Sequence, residues 1–303
     1  MIQVNNFSKH YGTVHAVKNI SFSVKDGVFF ALLGPNGAGK STTIETLATL
    51  LSKDEGSIRL NGYEIGIDDA KIRQSIGMVF QYSTLDKSLT GEENLMIRGG
   101  FYGLSKQAIK DRIETLNTLI DFKPFYKQKV TTLSGGQKRK LDIARALIHT
   151  PELLMLDEPT TGLDPKSRQA IWSLIMTLKQ TTNMTLLLTT HYMEEVTDAD
   201  HVIIMHQGNI IAEDTAEALR LKYAQDRLKI YPKSTLAQVL DDLKVEYTRV
   251  NQSIHINIKD AFEGITWVEK LKEHMDSFEI IKASLDDVFL NLTGETFDAV
   301  HHA

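Results

Sequence analysis

The stretch Gly34 to Ser41 reads G-P-N-G-A-G-K-S, and it limits the possible folds of this chain more than any other feature. It fits G-x-x-x-x-G-K-[ST], a loop whose glycines let backbone amides close around a phosphate chain. Before it stands "VFFALLG", a continuous apolar run suited to a strand covered on both faces. After it, "STTIETLATLLS" places Ile44, Leu47, Ala48 and Leu51 on one helical face. Residues 28–52 therefore read strand, glycine loop, helix. The helix N-terminus brings a partial positive charge to a bound anion. Lys40 can reach terminal phosphates, and the Ser41 hydroxyl suits Mg²⁺. A plain glycine turn would explain the loop alone, but not the strand and helix on its two sides.

A second chemical feature is "LLMLDE", which ends in Asp157 and Glu158. An apolar strand that delivers two acids to its carboxyl end puts them where ligands bind in open α/β sheets. Neighbouring strand residues face opposite sides, so the two acids need different roles. Asp157 suits the Mg²⁺ shell and Glu158 suits the base that orients and deprotonates water. Read without the upstream loop, the pair fits an acidic strand end or helix cap equally well.

The remaining pattern is mixed. "IQVNNF" and "ISFSV" read as strands, "GSIRLNGYEIG" as a short hairpin and "IGMVFQ" as a further buried strand. From about Leu85 to Ile148 the spacing is helical, with capping-box spacing in "TGEE" at Thr90 to Glu93. "ELLMLD" and "MTLLLTT" return to strand, separated by the helical "SRQAIWSLIMTLKQ", and "HVIIMHQGNIIAED" reads as a hairpin turning at Gln207 to Asn209. After about Ala224 the order is strand, helix, strand, strand, helix, strand, the split pattern of a ferredoxin-like unit. In "ASLDDVFLNLTGE", Ser284 and Asp287 can cap a helix, with Val288, Leu290 and Leu292 as apolar docking surface.

Composition limits the alternatives. A chain of 303 residues suggests two domains. The net charge of -5 and the lack of a basic run give no sign of nucleic acid. Cysteine is absent, which excludes disulfides and thiolate metal sites. No run approaches the ~20 apolar residues of a membrane-spanning helix, and the N-terminus is too polar for a secretory signal. A transition-metal site is not indicated either: no H-E-x-x-H occurs, and His301 and His302 read as a solvated tail.

Between the two features lies "LSGGQ", Leu133 to Gln137, a second glycine loop followed by a helical pattern. Alone it is an ordinary capping loop. In the order P-loop, "LSGGQ", "LLMLDE" and a single His191 after "TLLLTT", residues 1 to about 215 resemble the ATP-binding cassette (ABC) ATPases. The resemblance implies an α/β fold: a P-loop core, an antiparallel β subdomain and a helical subdomain at about 85–150. To that core the pattern adds the small α+β ferredoxin-like C-terminal domain. The expected division is residues 1–220 and 221–303.

The resemblance also implies the site. ATP would contact Tyr11, Gly34, Pro35, Asn36, Gly37, Ala38, Gly39, Lys40, Ser41, Thr42 and Gln81. Mg²⁺ would be held by Ser41, Gln81 and Asp157, with Glu158, His191 and Lys40 serving catalysis. Paired head to tail, each cassette would offer Ser134, Gly135, Gly136 and Gln137 to the nucleotide of the other, and Asp164 in "TTGLDP" would link the two sites. By itself, Gln81 is a commonplace strand end and Tyr11 could be core.

"LTGEENL", "LSGGQKRKLDIARALI" and "LDEPTTGLDP", with the tail "ASLDDVFLNLTGE", look like the drug and antibiotic exporter branch. That implies an ATPase subunit lying at the inner face of the cell membrane on an integral permease, which docks near Gln81 and residues 82–100. It also implies a second cassette, as a homodimer. The C-terminal extension would stabilise pairing or regulate the cassette; a small packing domain without a ligand fits as well. A soluble ABC ATPase acting on ribosomes or DNA, or an importer cassette, is the alternative.

Overall fold

The computed structural model describes residues 1–295; His301 and His302 lie outside the described residues. It divides into two compact units, the first ending at Thr215 and the second starting at Ala216.

The first unit is built on two sheets. β1 (Ile2–Tyr11), β2 (Val14–Val24), β4 (Glu55–Leu60) and β5 (Tyr63–Glu64) form an antiparallel sheet in the order β2-β1-β4-β5. The second sheet adds β3 (Phe29–Leu33), β6 (Ile76–Val79), β7 (Leu153–Asp157), β8 (Thr185–Thr190), β9 (His201–His206) and β10 (Asn209–Asp214). Its order is β10-β9-β3-β8-β7-β6, parallel except for the β9–β10 hairpin. β3, β6, β7 and β8 are buried at every position, as their unbroken apolar runs require. Phe7, Phe22, Phe30, Ile44, Leu47 and Met205 share one core, and the Phe22 and Phe30 rings stack at 5.5 Å.

The helix after the glycine loop, α1 (Lys40–Leu47), is shorter than the expected span to residue 52. Thr49 turns left-handed at φ 61° and stops it. A helix not evident in the sequence, α2 (Asp69–Ser75), supplies the stop: Arg73 Nε donates to Thr49 Oγ1 at 2.7 Å and Nη2 to the Thr49 carbonyl at 3.2 Å. Leu51 accordingly falls outside the helix.

The helical segment contains α3 (Gly91–Phe101), α4 (Lys106–Ile120) and α5 (Gly135–Leu147). The expected Thr90–Glu93 capping box opens α3. α6 (Pro165–Thr181) joins β7 to β8. The β9–β10 hairpin turns at Gln207 and Gly208, where the Gly208 amide donates to the Ala38 carbonyl at 3.1 Å and so supports the P-loop.

The second unit runs α7 (Ala216–Tyr223), β11 (Asp226–Pro232), α8 (Leu236–Asp242), β12 (Thr248–Val250), β13 (Ser253–Ile258), α9 (Ala261–Leu271), β14 (Met275–Ile281) and α10 (Leu285–Thr293). β11 to β14 form an antiparallel sheet in the order β12-β13-β11-β14, the expected βαββαβ arrangement. Leu228, Ile230, Ile254, Ile256 and Ile258 form its core with Leu236, Leu240 and Leu271. The division falls five residues before the expected one because α7 packs with α10, and Asn291 Nδ2 donates to the Tyr223 carbonyl at 2.8 Å.

Ser284 and Asp287 form the expected capping box of α10. The apolar face needs correction. Val288, Leu290 and Leu292 have a strand's spacing, whereas a helix aligns Leu285, Val288 and Phe289. Those three are buried and Leu290 is exposed, so Val288 is not free surface.

His149 lies face to face with Tyr102, with ring centroids 3.7 Å apart, and its Nε2 meets the Ile76 carbonyl at 2.9 Å. Burial, aided by the Arg98 and Arg112 charges, pushes its pKa down to about 4. A histidine kept neutral in the fold contributes stability above its unfolded pKa of 6.5 that is lost as pH falls towards 4. Urea midpoints measured across that window should therefore fall more steeply for the wild-type chain than for His149→Gln. Parallel pH profiles for the two would contradict this account.

Candidate functional site

β3 ends at the P-loop, and steric limits hold that loop's shape. A Cβ on Gly34 would lie 2.4 Å from the Met205 carbonyl oxygen of β9. Gly39 sits at φ 99°, and a Cβ there would lie 2.6 Å from the Ala16 carbonyl oxygen. Gly39 also starts α1 with no side-chain cap and no acid in the first turn. By contrast, α3, α4, α5, α6, α9 and α10 each have a side-chain oxygen capping the N-terminus. Like α2 and α8, α1 thus starts with amides that no side chain caps.

Lys40 is buried at 3% exposure. Its Nζ donates to the Gly34 carbonyl at 2.7 Å and the Pro35 carbonyl at 3.0 Å, and lies 3.6 Å from Glu158 Oε1. Burial lowers its pKa, opposed by the Glu158 and Asp157 charges.

β7 delivers the acids. Asp157 Oδ1 accepts from Thr189 Oγ1 at 2.5 Å and from Ser41 Oγ at 3.3 Å. Burial raises its carboxyl above the ordinary range, helped by Glu158 and opposed by the two hydroxyls and Lys40. Glu158 follows with a left-handed backbone, φ 44°, fixed by its amide donating to the Thr189 carbonyl at 3.0 Å and Thr189 Oγ1 at 3.1 Å. That kink means the two acids are not simply alternate residues of one strand. Glu158 Oε2 accepts from Thr161 Oγ1 at 3.1 Å and Gln81 Nε2 at 3.3 Å, and lies 3.2 Å from His191 Nδ1. Burial would raise the Glu158 carboxyl, but His191, Lys40 and Thr161 together hold it below its ordinary value.

The structure thus gathers Lys40, Ser41, Gln81, Asp157, Glu158 and His191 at the ends of β3, β6, β7 and β8. Tyr11 lies at the end of β1 and is 47% exposed, so it is not core. Ser134 and Gln137 open α5 by bonding each other: the Gln137 amide donates to Ser134 Oγ at 3.3 Å, and Gln137 Oε1 accepts from the Ser134 amide at 2.9 Å. A Cβ on Gly135 would come within 3.2 Å of Leu163 in "TTGLDP", and one on Gly136 within 2.8 Å of Ser167 Oγ in the first turn of α6. Asp164 caps α6 by accepting from the Ser167 amide at 3.0 Å; the Ser167 hydroxyl, and after it this amide, lowers its pKa.

Several contributing residues escape sequence reasoning. Thr189 serves both acids. Glu195, buried, accepts from Thr190 Oγ1 at 2.5 Å and from Thr160 Oγ1, joining the turn after Glu158 to the start of the His191 segment. The signal was available in the adjacent threonines that end an apolar strand and in a glutamate four residues after His191.

A family model described as "ABC transporter" matches residues 17–161. The linearmycin resistance ATP-binding protein LnrL of Bacillus subtilis (strain 168) is 38% identical, covering 98% of this chain and 99% of that protein. The chain belongs to the ABC transporter ATP-binding proteins. The daunorubicin/doxorubicin resistance ATP-binding protein DrrA of Streptomyces peucetius is 35% identical over 98% of this chain and 93% of its own length. The Nod factor export ATP-binding protein I of Burkholderia orbicola (strain AU 1054) is 36% identical, with 97% of each chain covered. Among solved structures, the dimeric post-hydrolysis cassette MJ0796 bound to ADP and Pi is 28% identical at a TM-score of 0.65, covering 71% of this chain and 98% of that one.

This chain is therefore an ATP-binding, ATP-hydrolysing cassette subunit, and its relatives do not favour the ribosome, DNA or importer alternatives. No helix of the described residues is long and apolar enough to cross a membrane.

Thr189→Val should leave Asp157 and the Glu158 amide each short of a partner and lower stability by ~1–3 kcal/mol, while Thr189→Ser should retain most of it. Equal urea midpoints for the two variants would contradict that role of the hydroxyl.

Proposed function

We propose that the chain binds Mg-ATP between its own P-loop and the LSGGQ loop of a second copy, with Glu158 as the base. The resulting cycle powers an exporter of drugs, antibiotics or other amphipathic compounds. The observation that carries the site is Glu158: ionised, buried and oriented by Gln81, Thr161 and His191. Full-length relatives named for resistance and export support the direction of transport.

Gly34, Pro35, Asn36, Gly37, Ala38, Gly39 and Thr42 surround the phosphates with the amides that start α1, and Tyr11 offers its exposed ring to the base. Lys40 leaves the Gly34 and Pro35 carbonyls for the phosphate oxygens. Glu158 then loses its nearest ammonium, so its proton affinity rises as water is to be deprotonated. His191 holds the Glu158 carboxylate in line.

Mg²⁺ fits the residues present. Ser41 Oγ and Asp157 Oδ1 lie together, and Asp157 is a buried carboxylate with a raised pKa, which a cation would relieve. Gln81 completes that shell. When bound, the ion neutralises charge on the phosphate oxygens.

Ser134, Gly135, Gly136 and Gln137 close over the nucleotide of the second copy, making a homodimer, and Asp164 connects the two sites through α6. The permease docks on the 82–100 face, where Tyr82 is 79% and Ile97 48% exposed. The chain then lies peripherally at the cytoplasmic face of the membrane. The second unit, from Ala216, is an accessory element that stabilises pairing or regulates the cassette.

Glu158→Gln should retain ATP binding, lose ~100-fold or more in turnover and accumulate as an ATP-dependent dimer by light scattering. Undiminished turnover would remove Glu158 from its role. Lys40→Ala should weaken ATP affinity at least ~10-fold in a fluorescent-nucleotide titration, and unchanged affinity would argue against the phosphate cradle.

A further inference from the structure

The segment that carries Gln81 is tied to the helix that starts with the LSGGQ motif. Arg139 and Asp142 lie about one turn apart on α5, and both are buried. Arg139 Nη1 donates to the Phe80 carbonyl at 2.5 Å, and Nη2 donates to the Gln81 carbonyl at 2.6 Å. Asp142 Oδ1 accepts from the Thr84 amide at 3.2 Å. The two side chains therefore hold both ends of the 80–84 segment.

The reason for this arrangement lies in the sheet. β6 is an edge strand and ends at Val79, so the next carbonyls have no further strand to pair with. A buried carbonyl without a donor is costly, and a guanidinium fork can satisfy two at once. Burial lowers the Arg139 pKa, opposed by the Asp142 and Asp157 charges. Downstream, the Asp86 amide donates to Asn94 Oδ1 at 2.8 Å, which fixes the loop to α3 as well.

Gln81 is thereby split between two bodies. Its main chain is fixed to α5, while its side chain donates to Glu158 Oε2 at 3.3 Å. Any rotation of α5 relative to the sheet must change that second contact. The exposed Tyr82 sits inside the same clamped segment.

We propose that Arg139, braced by Asp142, is a positioning residue that makes the Gln81 segment and the LSGGQ helix move as one body. Engagement of Ser134 to Gln137 by the second copy's nucleotide then sets the Gln81–Glu158 contact in the first copy's own site. The inference rests on the roles given to Glu158, Gln81 and the LSGGQ loop above.

A double-mutant cycle on the full chain tests it. Arg139→Lys keeps the charge but replaces the rigid two-nitrogen fork with a single ammonium on a flexible stem. It should lower kcat ~10-fold while moving the KM for ATP less than ~3-fold, the mark of an interaction that matters in the transition state. In a Gln81→Ala background the same substitution should cost less than ~2-fold, because its route to Glu158 is already cut. Asp142→Asn should repeat the pattern more weakly, and it carries the cycle alone if Arg139→Lys does not fold. An equal loss in both backgrounds would show a merely structural role and overturn the proposal, as would an unchanged kcat in the wild-type background. Failure of the underlying reading looks different: full turnover in Glu158→Gln discards the base assignment whatever the cycle gives.

Discussion

An ammonium and two carboxylates, Lys40, Asp157 and Glu158, are buried side by side at the carboxyl end of the central sheet. Buried charges are tolerated only when paired and hydrogen-bonded. Much of the surrounding structure supplies that compensation: two P-loop carbonyls for Lys40, Thr189 and Ser41 for Asp157, and Gln81, Thr161 and His191 for Glu158. The opposing pKa directions of the two acids follow from it. Asp157 is left short of positive charge and rises; Glu158 is well supplied and falls. Such a cluster is stable enough to fold, yet a polyanion with its cation would fit it better.

The compensation reaches beyond the sheet. Glu195 joins the turn after Glu158 to the end of β8 through Thr160 and Thr190, so the Glu158 turn and the histidine segment share a buried brace. Gln81 connects the same carboxylate to a loop fastened on α5. Chemistry and mechanical contact are thus adjacent. Gln81, which donates to Glu158, is followed by the exposed Tyr82.

The second unit follows a different logic. Its sheet buries one face of alternating isoleucines and leaves Lys229, Tyr231 and Glu279 bonded to one another on the other. Among its described residues, no buried cluster of an ammonium and two carboxylates occurs. That contrast fits a part that acts by packing or pairing, in a family whose relatives align along nearly their whole length.

What the sequence determined by itself was the part governed by local pattern. Apolar runs marked β3, β7 and β8; glycine spacing marked the P-loop; Thr90–Glu93 and Ser284–Asp287 marked helix starts, because a cap needs only neighbours in the chain. The βαββαβ order of the second unit was legible for the same reason. Tertiary structure alone decided where α1 stops, since Arg73 of α2 ends it, and which side of α10 is buried, since that depends on packing against segments distant in the chain. It also decided how Glu158 is aimed, through a left-handed residue tied to Thr189, and how Arg139 meets Phe80 and Gln81 across fifty-odd residues of chain. Such pairings leave little periodic trace, because a hydrogen bond between distant segments constrains the donor and acceptor but not the residues between them.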